Sequence, residues 1–440
     1  MSHHHEKQNP NKAFAVKTVA EGLKLCSYET DRFKTARLSF NMVMPLLEEP
    51  AKYGILPYLM AKSCKAYPTY LDLNKKLADL YGATLTPSLL KVGENHVLRL
   101  SMTMLDNKFT FMGEDLVYQC AELLCKTVFE PNVEEGKFPA ADLEREKRLM
   151  QERIEATYND KRSYALMRCI QEMCADEKYK ASVYGSAEGV DALTPETVYA
   201  AWQEVLSTAR IQVDVVGNVD PEPIGQLVKG YLDNIARGEL TEVDAEVINT
   251  VSEVKRIDEE QPVKQGKLVM GFRTGMQNSY ADYPALRICT DLYGGGTYSR
   301  LFDNVREKQS LCYYCSARYY STKGILVVQS GIENENAEKA ISEIQKQLAD
   351  MAAGNVTDAD LEKSHKSMKD GFNSVFDTPE EIDGWFLTQI CDPVFETPAE
   401  LVERLTAVTV EDVVKAAQSI QLDTIYMLAG TATDDEEVAD

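Results

Sequence analysis

The sequence predicts an α+β protein of two related halves, each a mainly antiparallel sheet with helices packed on it. Three observations carry that expectation: a length beyond one core, an internal echo about half a chain apart, and strands that fall in hairpin-like pairs. The chain has 440 residues, more than one ordinary hydrophobic core organises, so two or three domains are expected.

The echo joins a helix to a strand twice. Thr194-Pro-Glu-Thr-Val-Tyr-Ala-Ala-Trp-Gln-Glu-Val-Leu runs into Arg210-Ile-Gln-Val-Asp-Val-Val-Gly217. Thr409-Val-Glu-Asp-Val-Val-Lys-Ala-Ala-Gln-Ser-Ile precedes Thr424-Ile-Tyr-Met-Leu-Ala-Gly430. Val198, Trp202 and Val205 recur at helical spacing in the first copy, and Val413, Ala417 and Ile420 in the second. Each copy has a Thr at the cap position and a Glu in the first turn, and each strand ends at a glycine. Each copy would close one half.

The hairpins are read from turns between alternating runs. Leu89–Val92 and His96–Met104 flank Gly93-Glu94-Asn95, and Cys312–Tyr320 meets Ile325–Ile332 across Ser321-Thr-Lys-Gly324. Residues from about Asp220 to Gly266 are charged and punctuated by Pro221, Pro223 and Gly238, with Ile224–Ile235 still able to form a helix. The expected division is an N-terminal half 1–225, a linker 226–262 and a C-terminal half 263–440.

Composition excludes several classes. Hydrophobic residues at 44% and charged residues at 27% are those of a soluble globular protein. Apolar stretches such as Gly54–Ala61 fall far short of the roughly 20 residues that cross a bilayer, so no membrane association is expected. The polar start lacks the apolar core of a signal peptide, and ten cysteines are scattered as reduced core thiols usually are; a cytoplasmic location is expected. A net charge of −23 argues against nucleic acid and permits a basic peptide as partner. Asp434 to Asp440 reads as a solvated acidic tail, and the run His3–His5 carries no fold argument.

Chemistry is constrained by scarce histidine. Beyond the N-terminal run only His96 and His365 occur, one opening an alternating strand and one on a polar helix, neither beside a ligand-spaced cluster. Both read as structural. Gly294-Gly-Gly follows a helix-like run (Leu286 to Tyr293) and not a strand, so it is read as a helix cap and turn, not a phosphate loop. A helix beginning near Ser299 would bury Leu301, Phe302 and Val305 and leave Arg306 on its other side; Tyr313 opens the next strand. An Arg with five donors and a Tyr with a polar tip can clamp a peptide carbonyl or an oxyanion, though spacing alone favours a solvent-facing Arg and a sheet Tyr. Cys312-Tyr-Tyr-Cys315 has the spacing of a redox dithiol, yet three steps along a strand should point its sulfurs to opposite faces. On Leu143–Ile154, Leu143, Met150, Ile154 and Tyr158 would face inward while Glu144, Arg148 and Glu152 form a solvated stripe.

Together these pieces resemble the pitrilysin/insulinase family of zinc metallopeptidases, whose motif is His-x-x-Glu-His. Gly294–Tyr313 carries the likeness most specifically through its Gly-Gly, Ser-Arg-Leu-Phe, Arg-Glu-Lys and Leu-x-Tyr elements. The resemblance implies a LuxS/MPP-like fold and a clam-like chamber completed by a second subunit. It also implies that Arg306 and Tyr313 are the pair that binds substrate backbone. Where the family carries its zinc helix, this chain reads Lys52-Tyr-Gly-Ile-Leu-Pro-Tyr-Leu-Met-Ala-Lys-Ser-Cys64, without His or Glu. The family's third ligand is a Glu on a helix similar to Leu143–Ile154, where Glu144, Glu146 and Glu152 stand. Tyr158-Asn-Asp-Lys, Tyr164-Ala and Tyr184-Gly are most similar to an inactive bacterial subfamily named for association with the 5-aminopentanol modification of elongation factor P. The expectation is therefore a subunit with no metal or other cofactor and no catalysis of its own. It would pair with a zinc-bearing homologue, or with itself as a peptide-binding or structural homodimer.

Overall fold

The computed structural model describes residues 13–243, 246–275 and 281–431; the N-terminal histidine run and the acidic tail lie outside them. The first sheet contains β1 (Phe14–Ala20), β2 (Leu23–Glu29), β3 (Thr35–Pro45), β4 (Thr84–Val92), β5 (Asn95–Leu105) and β6 (Arg210–Gly217), in the order β1-β2-β6-β3-β5-β4. The second contains β7 (Lys255–Gln261), β8 (Gly266–Arg273), β9 (Cys312–Tyr320), β10 (Ile325–Ile332) and β11 (Gln421–Gly430), in the order β7-β11-β8-β10-β9. β6 pairs with β2 in parallel and β11 with β7 in parallel, and every other pairing is antiparallel. The two orders superpose strand for strand, with β2, β6, β3, β5 and β4 answering β7, β11, β8, β10 and β9. The predicted α+β class with related halves is what the chain adopts, and β1 is an addition to the first sheet.

The echo supplies corresponding pieces. Thr194 caps the helix Pro195–Thr208 by accepting from the Thr197 amide, and Thr409 caps Val410–Ser419 by accepting from the Asp412 amide. In both, the third helical residue bonds back to the cap, satisfying two donors that a helix start leaves open. Val198 and Val205 are buried in one copy and Val413 and Ala417 in the other. The Trp202 indole N–H donates to the Val128 carbonyl at 2.9 Å.

Compact packing groups the residues differently from a single cut of the sequence. One unit comprises 1–154, 181–244 and 373–398; the other comprises 155–180, 245–372 and 399–440. In the first unit the helix Pro379–Thr388 packs on β3 and β6. Its buried Asp383 accepts from Arg37 Nε at 2.5 Å and from the Ser39 hydroxyl at 2.8 Å, and also pairs with Arg99. Beside it Asp214 accepts from Asn41 at 2.7 Å and Gln212 at 2.9 Å. Burial first, then the Asp383 charge, pushes Asp214 up to about 8. In the second unit the helix Lys161–Met173 packs on β8 and β11, the strands that answer β3 and β6. Each unit thus takes one covering helix from the opposite half of the sequence.

Two readings of local structure are corrected. β7 lies within residues read as linker: Lys255, Arg256, Asp258 and Glu260 conceal it, as charge does on a sheet-edge strand. Its Glu259 accepts from the hydroxyls of Tyr164 at 2.6 Å and Tyr426 at 2.7 Å. On the helix Ala140–Asn159, Leu143 and Met150 are buried as expected, but Tyr158 is 47% exposed. Its ring packs tilted against that of Tyr164, with centroids 5.5 Å apart, and so beyond the inward stripe of this helix.

Candidate functional site

The segment that would carry zinc forms two short helices, Ala51–Gly54 and Leu56–Met60, with Pro50 at the first cap and Pro57 in the first turn of the second. Pro is tolerated in a first turn because its missing N–H has no helical partner there. Tyr53, Leu56, Leu59 and Met60 are core residues. The ring of Tyr58 lies under the Arg153 guanidinium, 4.0 Å from its centroid. Burial first, then the neighbouring Tyr184 hydroxyl, pushes the Tyr58 phenol up to about 12; Glu146 is close enough to add to the shift.

Of the three acids on the helix Ala140–Asn159, the structure turns only Glu146 inward. Its side chain is fully buried, whereas Glu144 and Glu152 reach solvent. Cations approach Glu146: Lys62 Nζ lies 3.5 Å away and Arg145 Nε 3.7 Å. Zinc sites are built from about four His, Cys or carboxylate donors. Here one carboxylate has an ammonium and a guanidinium within 4 Å, and these cations would repel a dication. Among the described residues no group of three or more His, Cys, Asp and Glu side chains is arranged to hold a metal. The residues present do not fit zinc.

The second candidate lies in the other unit. The helix Tyr283–Gly294 ends at the glycines, and Asp291 fixes the turn by accepting from the Tyr298 hydroxyl at 2.6 Å and the Ser364 hydroxyl at 2.5 Å. Gly294 is required by close approach: a Cβ there would lie 2.5 Å from the Ala317 amide nitrogen. Leu301–Lys308 then forms a π-helix, a wide winding that is rare and recurs at functional sites. Leu301 and Val305 are buried as expected; Phe302 is only partly so, and Arg306, expected on the other side, lies over its ring at 4.7 Å. Arg306 remains 41% exposed and pairs with Glu307 at 3.5 Å. Tyr313 is 58% exposed, and its hydroxyl donates to Glu333 at 2.6 Å, which raises its pKa. The structure therefore places Arg306 and Tyr313 on consecutive elements, both open to solvent, each held by a local acid.

The strand carrying Tyr313 holds a feature that spacing concealed. Cys312 pairs with Ile332, and Tyr314 with Gly331, so Tyr313 is an extra residue in a β-bulge. The bulge brings Cys312 and Cys315 to the same face, within hydrogen-bonding reach of each other, correcting the expectation of opposite faces. Gly331 was the available signal: a Cβ there would meet the Tyr314 ring at 2.5 Å, and glycine inside a strand often marks such a bulge. His96 is fully buried on β5, where desolvation lowers it to about 4, so it is neutral. His365 lies on Asp358–Asn373, also lowered by burial.

A repeated α+β architecture whose segment 52–64 lacks His and Glu, with no metal-holding cluster among the described residues, defines a class: peptidase-like proteins without the catalytic centre. The comparisons agree. The family profile described as peptidase M16 inactive domain matches residues 192–368. The protein named "Probable inactive metalloprotease YmfF" of Bacillus subtilis is 34% identical over 418 residues, which is 94% of this chain and 98% of that protein. A conserved protein from Enterococcus faecalis has a similar structure, with a TM-score of 0.87 at 24% identity, covering 96% of this chain and 100% of that one. A peptidase M16 inactive domain from Pseudomonas fluorescens has a TM-score of 0.78 at 16% identity, covering 97% and 100%. The chain belongs to the M16 metallopeptidase family, as one of its non-catalytic members. Among the described residues no helix is long and apolar enough to cross a membrane.

Proposed function

We propose that this chain is the non-catalytic subunit of a peptidase pair, joining a zinc-bearing homologue and offering Arg306 and Tyr313 to peptide in a shared chamber. The observation that carries the reading is a contrast. The segment 52–64, where the zinc helix is expected, carries no His or Glu and packs Tyr58 beneath Arg153, whereas the Arg306 side chain is 41% exposed and Tyr313 58%. An Arg and a large Tyr left exposed on consecutive elements, one of them on a π-helix, suit recognition better than packing. The guanidinium and the phenol are both donors, and a peptide carbonyl is the acceptor they complement. The likeness of relatives described as zinc proteases supplies the class of partner. The partner would contribute metal and general base, and this chain would orient the substrate backbone.

The test is co-expression with a zinc-bearing homologue from the same cell, followed by purification of the pair. Arg306→Ala and Tyr313→Phe are each expected to lower peptide cleavage by the pair roughly 10- to 100-fold, as loss of one charge-assisted or well-placed hydrogen bond does. Cleavage unchanged in both variants, with the pair intact, refutes the assignment. A chain that self-associates and never engages the homologue refutes the pairing.

A further inference from the structure

The bulge in β9 turns two cysteines of unremarkable spacing into a pair. β9 is the outermost strand of its sheet, and Cys312 and Cys315 stand opposite Ile332 and Ser330 of β10, two residues apart on the partner. Two strand residues span about 6.8 Å, at the upper end of the ~4.4–6.8 Å between Cα atoms that a disulfide bridges. A regular strand would hold the same cysteines three steps apart, about 10 Å, with side chains on opposite faces. The register puts both thiols on the face of the Ser330 hydroxyl, close enough for each to perturb the other's acidity. That hydroxyl is fixed by donating to the Tyr314 carbonyl at 2.9 Å.

The pair is asymmetric in access and in acidity. Cys312 is partly exposed at the sheet edge and Cys315 is buried. The Cys315 contact, then the Ser330 hydroxyl and the Arg306 guanidinium, hold Cys312 down to about 7 against the opposing effect of burial. The same contact raises Cys315 well above the usual thiol range. Of the remaining cysteines, seven are buried, and Cys391, partly exposed, is pushed up to about 12 by burial. A thiolate at an accessible edge, with a second thiol directly behind it, is the arrangement that exchange chemistry needs.

We propose that Cys312 and Cys315 form a reactive dithiol that exchanges with low-molecular-weight disulfides, Cys312 attacking and Cys315 resolving. The Cys312 thiolate attacks one sulfur of RS–SR, forming a Cys312–S–S–R bond and breaking the RS–SR bond. The departing RS⁻ takes up the proton that Cys312 released. Cys315 then loses its proton to the second leaving group as its sulfur attacks that of Cys312, and a second RSH departs. The protein dithiol is oxidised by two electrons to a disulfide, and RS–SR is reduced to two RSH. The proposal does not depend on whether Arg306 and Tyr313 bind peptide.

The experiment treats the full-length reduced protein with oxidised glutathione near neutral pH, quenches by alkylation and maps modified peptides by mass. In the wild type, Cys312 and Cys315 are expected to leave the alkylated pool together as one internal disulfide. Cys315→Ser should stop at a glutathione adduct on Cys312. Cys312→Ser should slow modification of Cys315 by roughly tenfold or more. A wild-type protein that keeps both thiols, or that reacts first at Cys391, overturns the proposal without reference to any variant. So does a lasting Cys312 adduct in the wild type with Cys315 still free. Circular dichroism of each Ser variant accompanies the mapping, and its failure to match the wild type leaves the wild-type result to decide.

Discussion

Glu177→Gln tests whether the second unit rests on a buried charge cluster. Glu177 is 4% exposed and accepts from Arg273 Nη2 at 2.5 Å, Arg273 Nη1 at 3.2 Å and Lys323 Nζ at 2.6 Å. Arg273 also donates to Asp423 at 3.0 Å and to the Met173 carbonyl at 2.9 Å, and Lys323 to the Glu246 carbonyl at 2.6 Å. Two cations therefore share one fully buried carboxylate, with Asp423 as the remaining acid. Glutamine keeps the shape and removes the charge, leaving a net buried cation. Breaking a buried pair in this way costs about 3–5 kcal/mol. For a unit of about 200 residues, where 1 kcal/mol shifts the midpoint by ~2–4 °C, the thermal midpoint should fall by about 10 °C. Arg273 and Lys323 outweigh desolvation and lower the pKa of Glu177 below its unfolded value. Its stabilisation is thus present above the unfolded pKa of 4.5 and lost as pH falls through the lower folded value. Differential scanning calorimetry at neutral and acidic pH checks both points. A midpoint within about 2 °C of wild type at neutral pH, the size expected of an exposed pair, would refute the cluster as a stabilising element.

Three further outcomes follow from other parts of the chain. Asp214 has a folded pKa of about 8, above its unfolded 3.8, so the native state holds the extra proton and stability should fall as pH rises between those values; Asp214→Asn should flatten that slope in denaturant titrations, and an unchanged slope sinks the assignment. Severing the chain within 226–262 and expressing the pieces apart should yield two poorly folded fragments, because each loses a helix (Pro379–Thr388 or Lys161–Met173) that covers its partner strands; sharp, independent melting of both fragments would contradict this. Purified protein dialysed against excess zinc should retain far less than one equivalent by atomic absorption; stoichiometric retention with peptide hydrolysis would overturn the reading of the Tyr58–Arg153 position.

What was legible in the sequence was whatever rests on local pattern. Capped helices at Thr194 and Thr409, the strands that follow them, and the hairpins of β4–β5 and β9–β10 are dictated by spacing, caps and turns, and each appears, though β4 starts five residues before its expected Leu89 and β11 three before Thr424. β7 escaped because a strand at a sheet edge keeps charged side chains and shows no apolar alternation. The exchanged helices escaped because nothing in an amphipathic stripe says which sheet it covers. In the candidate site, the placement of Arg306 on a helical turn and of Tyr313 near the start of the next strand was legible from spacing. The partnership of Cys312 with Cys315 was not, since it depends on one inserted residue opposite Gly331, and a one-residue slip reverses every face that follows.

The surroundings of Glu146 have an electrostatic logic that bears on why this chain does not suit zinc. A zinc ion and a buried Glu compensate each other, so deleting the imidazoles alone would leave a fully buried carboxylate without a counter-charge, at a cost of several kcal/mol. Glu146 remains fully buried here, and the compensation comes instead from Lys62 at 3.5 Å and Arg145 at 3.7 Å. Arg153 sits nearby over Tyr58, where the aromatic face offsets part of the guanidinium's lost hydration. The unsuitability for zinc therefore lies in several side chains on different elements, not only in the absent histidines. Restoring imidazoles to the helices of 51–60 while Lys62 and Arg153 stand would place a dication among cations. Lys62 and Arg145 already supply the positive charge beside Glu146 that a metal would otherwise bring.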